Sequence, residues 1–109
     1  MNFINFEAGN KNYKLRLTTG ATVALEKQLG CNPISIFGNG DTIPTIGTMV
    51  AILHASLQAY HHGITLKDTY DIFDAWIEEG HVMTDFIPVI VEIYKASGFM
   101  KEDSEEKNA

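Results

Sequence analysis

Four histidines are the residues of this sequence whose type most readily suggests chemistry, because imidazole binds metals and transfers protons near neutral pH. His54 and His61 are seven positions apart, which on a helix separates them by about 10.5 Å along the axis. One metal ion cannot bind both, since a histidine ligand lies about 2 Å from its metal. An HExxH pattern is also missing. We therefore expect no metal and no cofactor, and interpret these two residues, with His62 and His81, as exposed groups near helix ends.

Three acids, Asp71, Asp74 and Glu78, follow one another at steps of three and four, which places them in one stripe along a helix. Nothing nearby in the sequence is placed to raise the pKa of one of them, as acid–base catalysis requires. We expect the stripe to face solvent; the alternative is a small hydrolase that uses it together with His81. The predicted buried face of the same helix comprises Tyr70, Phe73, Trp76 and Ile77.

Candidate nucleophiles make no stronger case for catalysis. Ser35, Ser56 and Ser97 lie in no GxSxG turn. The single cysteine, Cys31, has neither an evident base nor a second cysteine for a disulfide or a zinc cluster, and we interpret it as a small, at least half-buried apolar residue. The glycine-rich segment 38–41 lacks the phosphate-binding pattern GxxxxGK[ST], which favours a simple connector. The sequence thus predicts a protein that is not an enzyme.

Composition also bears on the partners of the chain. Its 109 residues, 45% of them hydrophobic, suffice for one domain with one core, and its formal net charge is −6. It has no Lys and Arg cluster with which to bind nucleic acid. No apolar run approaches the roughly 20 residues of a membrane helix. The first residues resemble no signal peptide, so we expect a cytoplasmic protein.

Alternating side chains near the start of the chain predict an antiparallel β-hairpin. Residues 2–8 and 13–18 would be its strands, joined by a turn at residues 9–12. A two-stranded sheet is marginally stable alone, so its apolar face must lie on helices. Helix signals follow at once: Thr19 would cap a helix over residues 20–29.

The centre of the chain, residues 44–80, predicts two amphipathic helices joined by a tight corner. Gly63 would end the first helix in a left-handed conformation. Thr65 would cap the second, with Asp68 three residues on. Thr84 would cap a last helix over residues 85–97. The expected core face of the first helix comprises Ile46, Met49, Val50, Leu53, Leu57 and Tyr60.

Together these elements predict an α+β fold, in which an N-terminal β-hairpin packs on a bundle of three to four helices. Residues 1–100 would form the single domain, and residues 101–109 a disordered acidic tail. The first central helix carries apolar groups beyond its main face, which would suit contact with a partner helix. We predict as partner-binding residues Ile52, Ala55, Ala59, Tyr60 and Trp76, although Trp76 is first of all a candidate core residue.

The order of elements, with two segments, resembles the tail assembly chaperones of long-tailed bacteriophages, above all those of phages and prophages of Gram-positive bacteria. The segments are LEKQLG, followed after one residue by Asn32-Pro33, and AILHASLQAYHHG at residues 51–63. The resemblance extends over nearly the whole chain, best from Tyr13 to Phe99. It includes no catalytic motif.

The resemblance implies a non-enzymatic protein that binds the tape-measure protein, a very long helical chain, and keeps it soluble in the host cytoplasm until tail-tube subunits assemble around it. Such a protein is not expected in the mature virion. The family also implies a frameshifted longer product that recruits the tail-tube protein, and residues 106–108 are compatible with an A-rich slippery run. Whether the domain forms a homo-oligomer stays open. The alternative is a structural head–tail connector or completion protein.

Overall fold

The computed structural model describes residues 2–37 and 43–101. A β-hairpin comes first and four α-helices follow, so the α+β fold expected from the sequence is confirmed. The predicted connector at residues 38–41 and almost all of the predicted acidic tail lie outside the described residues. The elements are β1 (Ile4–Ala8), β2 (Lys11–Leu15), α1 (Thr19–Leu29), a 3-10 helix (Pro33–Phe37), α2 (Ile46–Leu57), α3 (Leu66–Glu78), a second 3-10 turn (Met83–Asp85) and α4 (Phe86–Ala96).

The hairpin turn has two residues and is tighter than the four-residue turn expected from the sequence. Gly9 and Asn10 both have positive φ, 59° and 68°. Two consecutive left-handed residues form the tight turn whose twist matches that of the flanking strands. As a result Ala8 pairs directly with Lys11, and β2 begins two residues earlier than predicted.

Capping residues explain most helix boundaries. Thr18, one residue before the predicted cap, accepts the Ala21 amide at the start of α1. The predicted capping box of α3 is confirmed: Thr65 Oγ1 accepts the Asp68 amide and Asp68 Oδ2 accepts the Thr65 amide, both at 3.0 Å. The cap predicted at Thr84 is wrong, because Thr84 lies inside the second 3-10 turn, where Asp85 accepts the Val82 amide instead.

Helix α2 is the central column of the domain. It contacts α1, α3, α4 and β2, so neighbours cover it on most sides. Its first residue, Ile46, is 49% exposed, which corrects its predicted place on the core face. The helix also ends earlier than expected, at Leu57, and the chain turns for several residues before it reaches Gly63, whose φ is 91°. Its buried residues are Met49, Val50, Ala51, Ile52, Leu53, Ala55, Ser56 and Leu57.

Backbone amides of the hairpin region are hydrogen bonded to groups far along the chain. The Gly9 N–H at the turn donates to Glu79 Oε2 beyond α3, at 2.6 Å. The Arg16 N–H donates to the Ser56 carbonyl in α2, at 2.9 Å, and the Leu17 N–H to Ser97 Oγ beyond α4, also at 2.9 Å. These bonds hold the hairpin and the residues after it against three helices. No described helix combines the length and the apolar character that crossing a membrane requires.

Candidate functional site

Three of the predicted partner-binding residues belong to the core. Ile52 is 0% exposed, Ala55 is 8% exposed and Trp76 is 4% exposed. The Trp76 ring lies among Phe6, Phe73 and Phe86, with centroid distances of 5.5–5.7 Å. A helix that is apolar on all sides is usually buried on all sides. The off-face groups of α2 therefore fill the domain, which corrects the expectation that they form a surface strip.

The other two predicted residues lie in the corner, which we define as residues 58–64 between α2 and α3. Tyr60 is 41% exposed and Ala59 is half-buried. The structure thus brings these two together and separates them from Ile52, Ala55 and Trp76, and it leaves only the corner pair for a partner to contact.

Two polar side chains fix the shape of the corner. Gln58 Nε2 donates to the carbonyl of His54 at 3.1 Å and to that of Ile64 at 2.9 Å, so it joins the end of α2 to the end of the corner. His61 Nε2 accepts the Lys14 N–H of β2 at 2.9 Å. The corner is therefore held by hydrogen bonds at its own two ends and by a hydrogen bond to the hairpin.

The hydrogen bond to Lys14 requires a neutral His61, because a protonated Nε2 has no lone pair to offer. Burial, and secondarily the positive charge of Lys14, lower the pKa of His61 below its ordinary value of 6.5. The Tyr13 ring meets the imidazole edge-on at 5.3 Å, and burial raises the pKa of the Tyr13 hydroxyl. His61 is consequently a structural acceptor at neutral pH, which differs from the exposed helix-end group expected from the sequence.

A cluster of two aromatic rings and one cation lies next to this bond. The Phe3 and Tyr60 rings pack edge to face with centroids 5.4 Å apart. Lys14 Nζ lies 5.0 Å from the Phe3 centroid and 5.7 Å from the Tyr60 centroid. Cation–π contacts of this kind contribute roughly 0.5–1 kcal/mol at exposed sites. The cluster holds Tyr60 in a defined position on the surface.

Two open clefts flank the corner. The larger, of ≈ 650 Å³, lies between the hairpin and the first turns of α3, where Lys11 faces Asp68 and Asp71 across it. Hydrogen bonds from the Thr65 backbone and hydroxyl lower the pKa of Asp68. The smaller, of ≈ 450 Å³, contains Arg16, and we call it the Arg16 cleft. His62 lines both clefts. Tyr60 thus stands at the rim of a surface with cations on β2 and acids on α3.

The groups considered for catalysis do not converge in the described part of the chain. Asp71, Asp74 and Glu78 are all exposed, as expected of a solvated stripe. His81 instead stacks on Trp76, with centroids 4.2 Å apart and planes 5° from parallel, and its Nδ1 lies 3.9 Å from Asp85. No three metal-binding side chains gather among the described residues.

Cys31 is exposed, contrary to the half-buried position expected of it. It directly follows Gly30, whose left-handed conformation ends α1 and turns the chain into solvent before the 3-10 helix.

Sequence reasoning missed Phe3, Lys14 and Arg16 as parts of this surface. The signal was present, since alternation in the predicted strand 13–18 puts Lys14 and Arg16 on the face opposite Leu15 and Leu17. The alternation did not reveal that the corner, more than 40 residues later, lies beside that strand.

Fold and surface together define a small α+β domain with a central buried helix and a rigid polar–aromatic corner. The chain belongs to a family described as "Family of unknown function (DUF6096)", whose model matches residues 4–109. No curated protein matches the chain, and no solved structure matches it.

Proposed function

We propose that this chain is a non-enzymatic tail assembly chaperone of a long-tailed bacteriophage, which binds the tape-measure protein in the host cytoplasm. The sequence resemblance from Tyr13 to Phe99 supports the proposal. One structural observation carries it furthest. The AILHASLQAYHHG segment is buried through Leu57, except for half-buried His54, but reaches the surface in the corner, where it presents an exposed tyrosine.

The corner has the features of a small anchoring surface for a helical client. Tyrosine is enriched in binding hot spots, because its large ring buries much area while few rotatable bonds are fixed. Tyr60 is already held by Phe3 and Lys14, so its immobilisation costs little further entropy on binding. Half-buried Ala59 beside it would let a helix backbone approach closely. We infer that an apolar stripe of the client packs on these residues.

Weak contacts of this size suit a client that is very long. A single tyrosine anchor supports modest affinity, but many copies of the domain along one chain would act together. The net charge of −6 would add negative charge to each covered stretch and so oppose aggregation of the complex.

Co-expression with the client tests the proposal. The expected client is a very long helical protein encoded directly downstream. Tyr60→Asp should strongly reduce the amount of client that co-purifies, because a carboxylate replaces the apolar anchor. Tyr70→Asp is the matched control, since Tyr70 is 51% exposed on α3 and lies outside the corner, and it should retain the client.

Two results would contradict the proposal. Equal recovery of the client with both variants would place the interface elsewhere. Detection of the chain in purified virions by mass spectrometry would fit the structural connector considered above, because an assembly chaperone leaves before the particle is complete.

A further inference from the structure

Arg16 is the only arginine in the chain. Its side chain is half-buried, and its Nε is fully buried without a hydrogen-bond partner among the described residues. In the described part of the chain it forms no ion pair with any Asp or Glu, although acids outnumber bases by 14 to 8 overall. A buried N–H without an acceptor is costly, so the Arg16 Nε–H needs an acceptor that the described residues do not supply, either a water molecule or a bound group.

The surroundings of Arg16 fit a single negatively charged group. Its backbone N–H is bonded to the Ser56 carbonyl, so the side chain starts from a fixed position beside α2, one residue after the end of β2. The cleft of ≈ 450 Å³ also reaches Thr18 and Ala21 in the first turn of α1, which contains no acidic residue. Tyr60 and Ala59 form the rim nearest the corner. The cleft therefore offers a charged donor at its wall and apolar surface at its edge.

We propose that the Arg16 cleft binds a carboxylate of an acidic polypeptide segment. The planar guanidinium presents donors in a fork that matches the two oxygens of a carboxylate. The methylene groups of a Glu or Asp side chain would rest against Tyr60 and Ala59. Among the described residues no lysine lines the cleft, and one guanidinium alone is a poor match for the greater charge of a phosphate. This inference does not depend on the client proposed above.

The carboxylate that binds in the Arg16 cleft can be supplied by either of two sources. The first is this chain, since residues 102–109 contain four acids. Phe99, three residues before this segment, lines a second cleft together with Thr22, and Ala21 next to Thr22 lines the Arg16 cleft. Eight extended residues reach about 27 Å. The second source is an acidic side chain of a partner protein.

Nuclear magnetic resonance of the full-length chain tests the proposal through the Arg16 Nε–H signal. The probe is an acetylated peptide with the sequence of residues 101–109, KEDSEEKNA. It is added to the wild-type chain and to a tail-neutral chain in which Glu102, Glu105 and Glu106 become Gln and Asp103 becomes Asn. The peptide should shift the Arg16 Nε–H signal of the tail-neutral chain, and Arg16→Gln should weaken its binding about ten-fold or more.

Two further variants keep the test decisive. Lys27→Gln removes the same charge from an exposed position on α1 and should change peptide binding by less than about two-fold. Arg16→Lys keeps the charge but loses the fork, and should weaken binding several-fold; it also serves if Arg16→Gln does not fold. An unshifted Nε–H signal would overturn the proposal. So would equal losses with Arg16→Gln and Lys27→Gln, because net charge alone would then explain binding.

The two chains distinguish the sources. If the tail occupies the cleft, the Arg16 Nε–H signal already differs between the wild-type and tail-neutral chains, and the peptide binds the wild-type chain more weakly. If the acid comes from a partner, the two chains give the same signal and bind the peptide equally. Either result supports a carboxylate site.

Discussion

Helix α2 and the corner that follows it are consecutive in the chain but differ in their surroundings. Eight of the residues in α2 are buried, whereas the corner is half-buried or exposed throughout. The AILHASLQAYHHG segment, residues 51–63, contains the last seven residues of α2 and most of the corner. The apolar character of α2 therefore reflects its position between four neighbours. The residues that can meet a partner begin where the helix ends.

The difference shows how a strongly apolar helix can mislead. Apolar side chains beyond one face suggest a sticky surface when only the sequence is known. In this fold the extra groups contact α1, α3, α4 and β2. The polar side chains that follow, Gln58 and His61, are used to fix the corner. Rigidity of the corner thus depends on the same packing that hides α2.

The largest effect is expected from a charge inside α2. Ile52→Asp should cost about 5 kcal/mol or more, comparable to the whole stability of a small domain, because a carboxylate would be buried without a partner. Ile46→Asp, the same change in the same helix, should alter stability by about 0.5 kcal/mol at most, since Ile46 is half exposed near the helix N-terminus. Circular dichroism during urea unfolding measures both. A folded Ile52→Asp variant would show that this side of α2 is accessible after all.

Trp76 allows the same comparison, between a buried and an exposed position of one helix, to be made in α3. Trp76→Ala should destabilise the domain by about 3–5 kcal/mol, because it removes a ring packed against three phenylalanine rings and stacked on His81. Tyr70→Ala should cost about 0.5 kcal/mol or less, as its side chain is half exposed. Chemical denaturation followed by circular dichroism gives both values. If both variants lost similarly little free energy of unfolding, Trp76 would be a surface residue that a partner could contact.

The capping box marks the point where the corner passes into α3. Thr65→Ala should cost about 1 kcal/mol, because the Asp68 amide loses its acceptor. The control is Thr84→Ala, an exposed threonine in the second 3-10 turn, which should be nearly neutral. Thermal unfolding of the two variants compares them. Equal losses would mean that Thr84 does cap α4.

The smallest effect is a pH dependence that originates in the corner. Since the pKa of His61 is lowered in the folded chain, the unfolded chain binds more protons as the pH falls through 6.5. Stability from the neutral imidazole is therefore present above pH 6.5 and lost as the pH drops towards the folded-state pKa.

Urea unfolding at several pH values between 8 and 5 measures this effect. The stability difference between the wild-type chain and His61→Gln should shrink on acidification. His62→Gln, at the exposed neighbouring position, is the matched control for the loss of one imidazole from the corner. A difference that stays constant with pH for His61→Gln would mean that the bond to Lys14 does not control the pH dependence of stability.

Sequence patterns predicted the order and type of the elements because each rests on local chemistry. Alternation located the hairpin, and the Thr65–Asp68 pair located the start of α3. Sequence patterns could not distinguish a buried from an exposed face of α2, since an all-apolar helix has no polar face that would indicate which side meets solvent. Tyr70 was misplaced for a related reason: periodicity identifies an apolar stripe but not how far the neighbouring element extends over it.

The candidate site was less predictable, because it joins parts of the chain distant in sequence. Tyr60 was identified by its residue type alone. Its neighbours Phe3 and Lys14 are assembled by docking of the hairpin against the corner, through a hydrogen bond between positions 47 residues apart. No local pattern records such a contact.

The docked hairpin also has a consequence for synthesis on the ribosome. Amides of the hairpin donate to His61 and Glu79, 47 and 70 residues downstream, and the Leu17 amide just after it donates to Ser97, 80 residues downstream. A strand pair of this size is marginal by itself, so the hairpin, which leaves the ribosomal exit tunnel before the helices that hold it, is among the last elements to become ordered. Folding is therefore expected to finish only after translation has passed α4, and a nascent chain arrested before Ser97 should expose its hairpin to proteases.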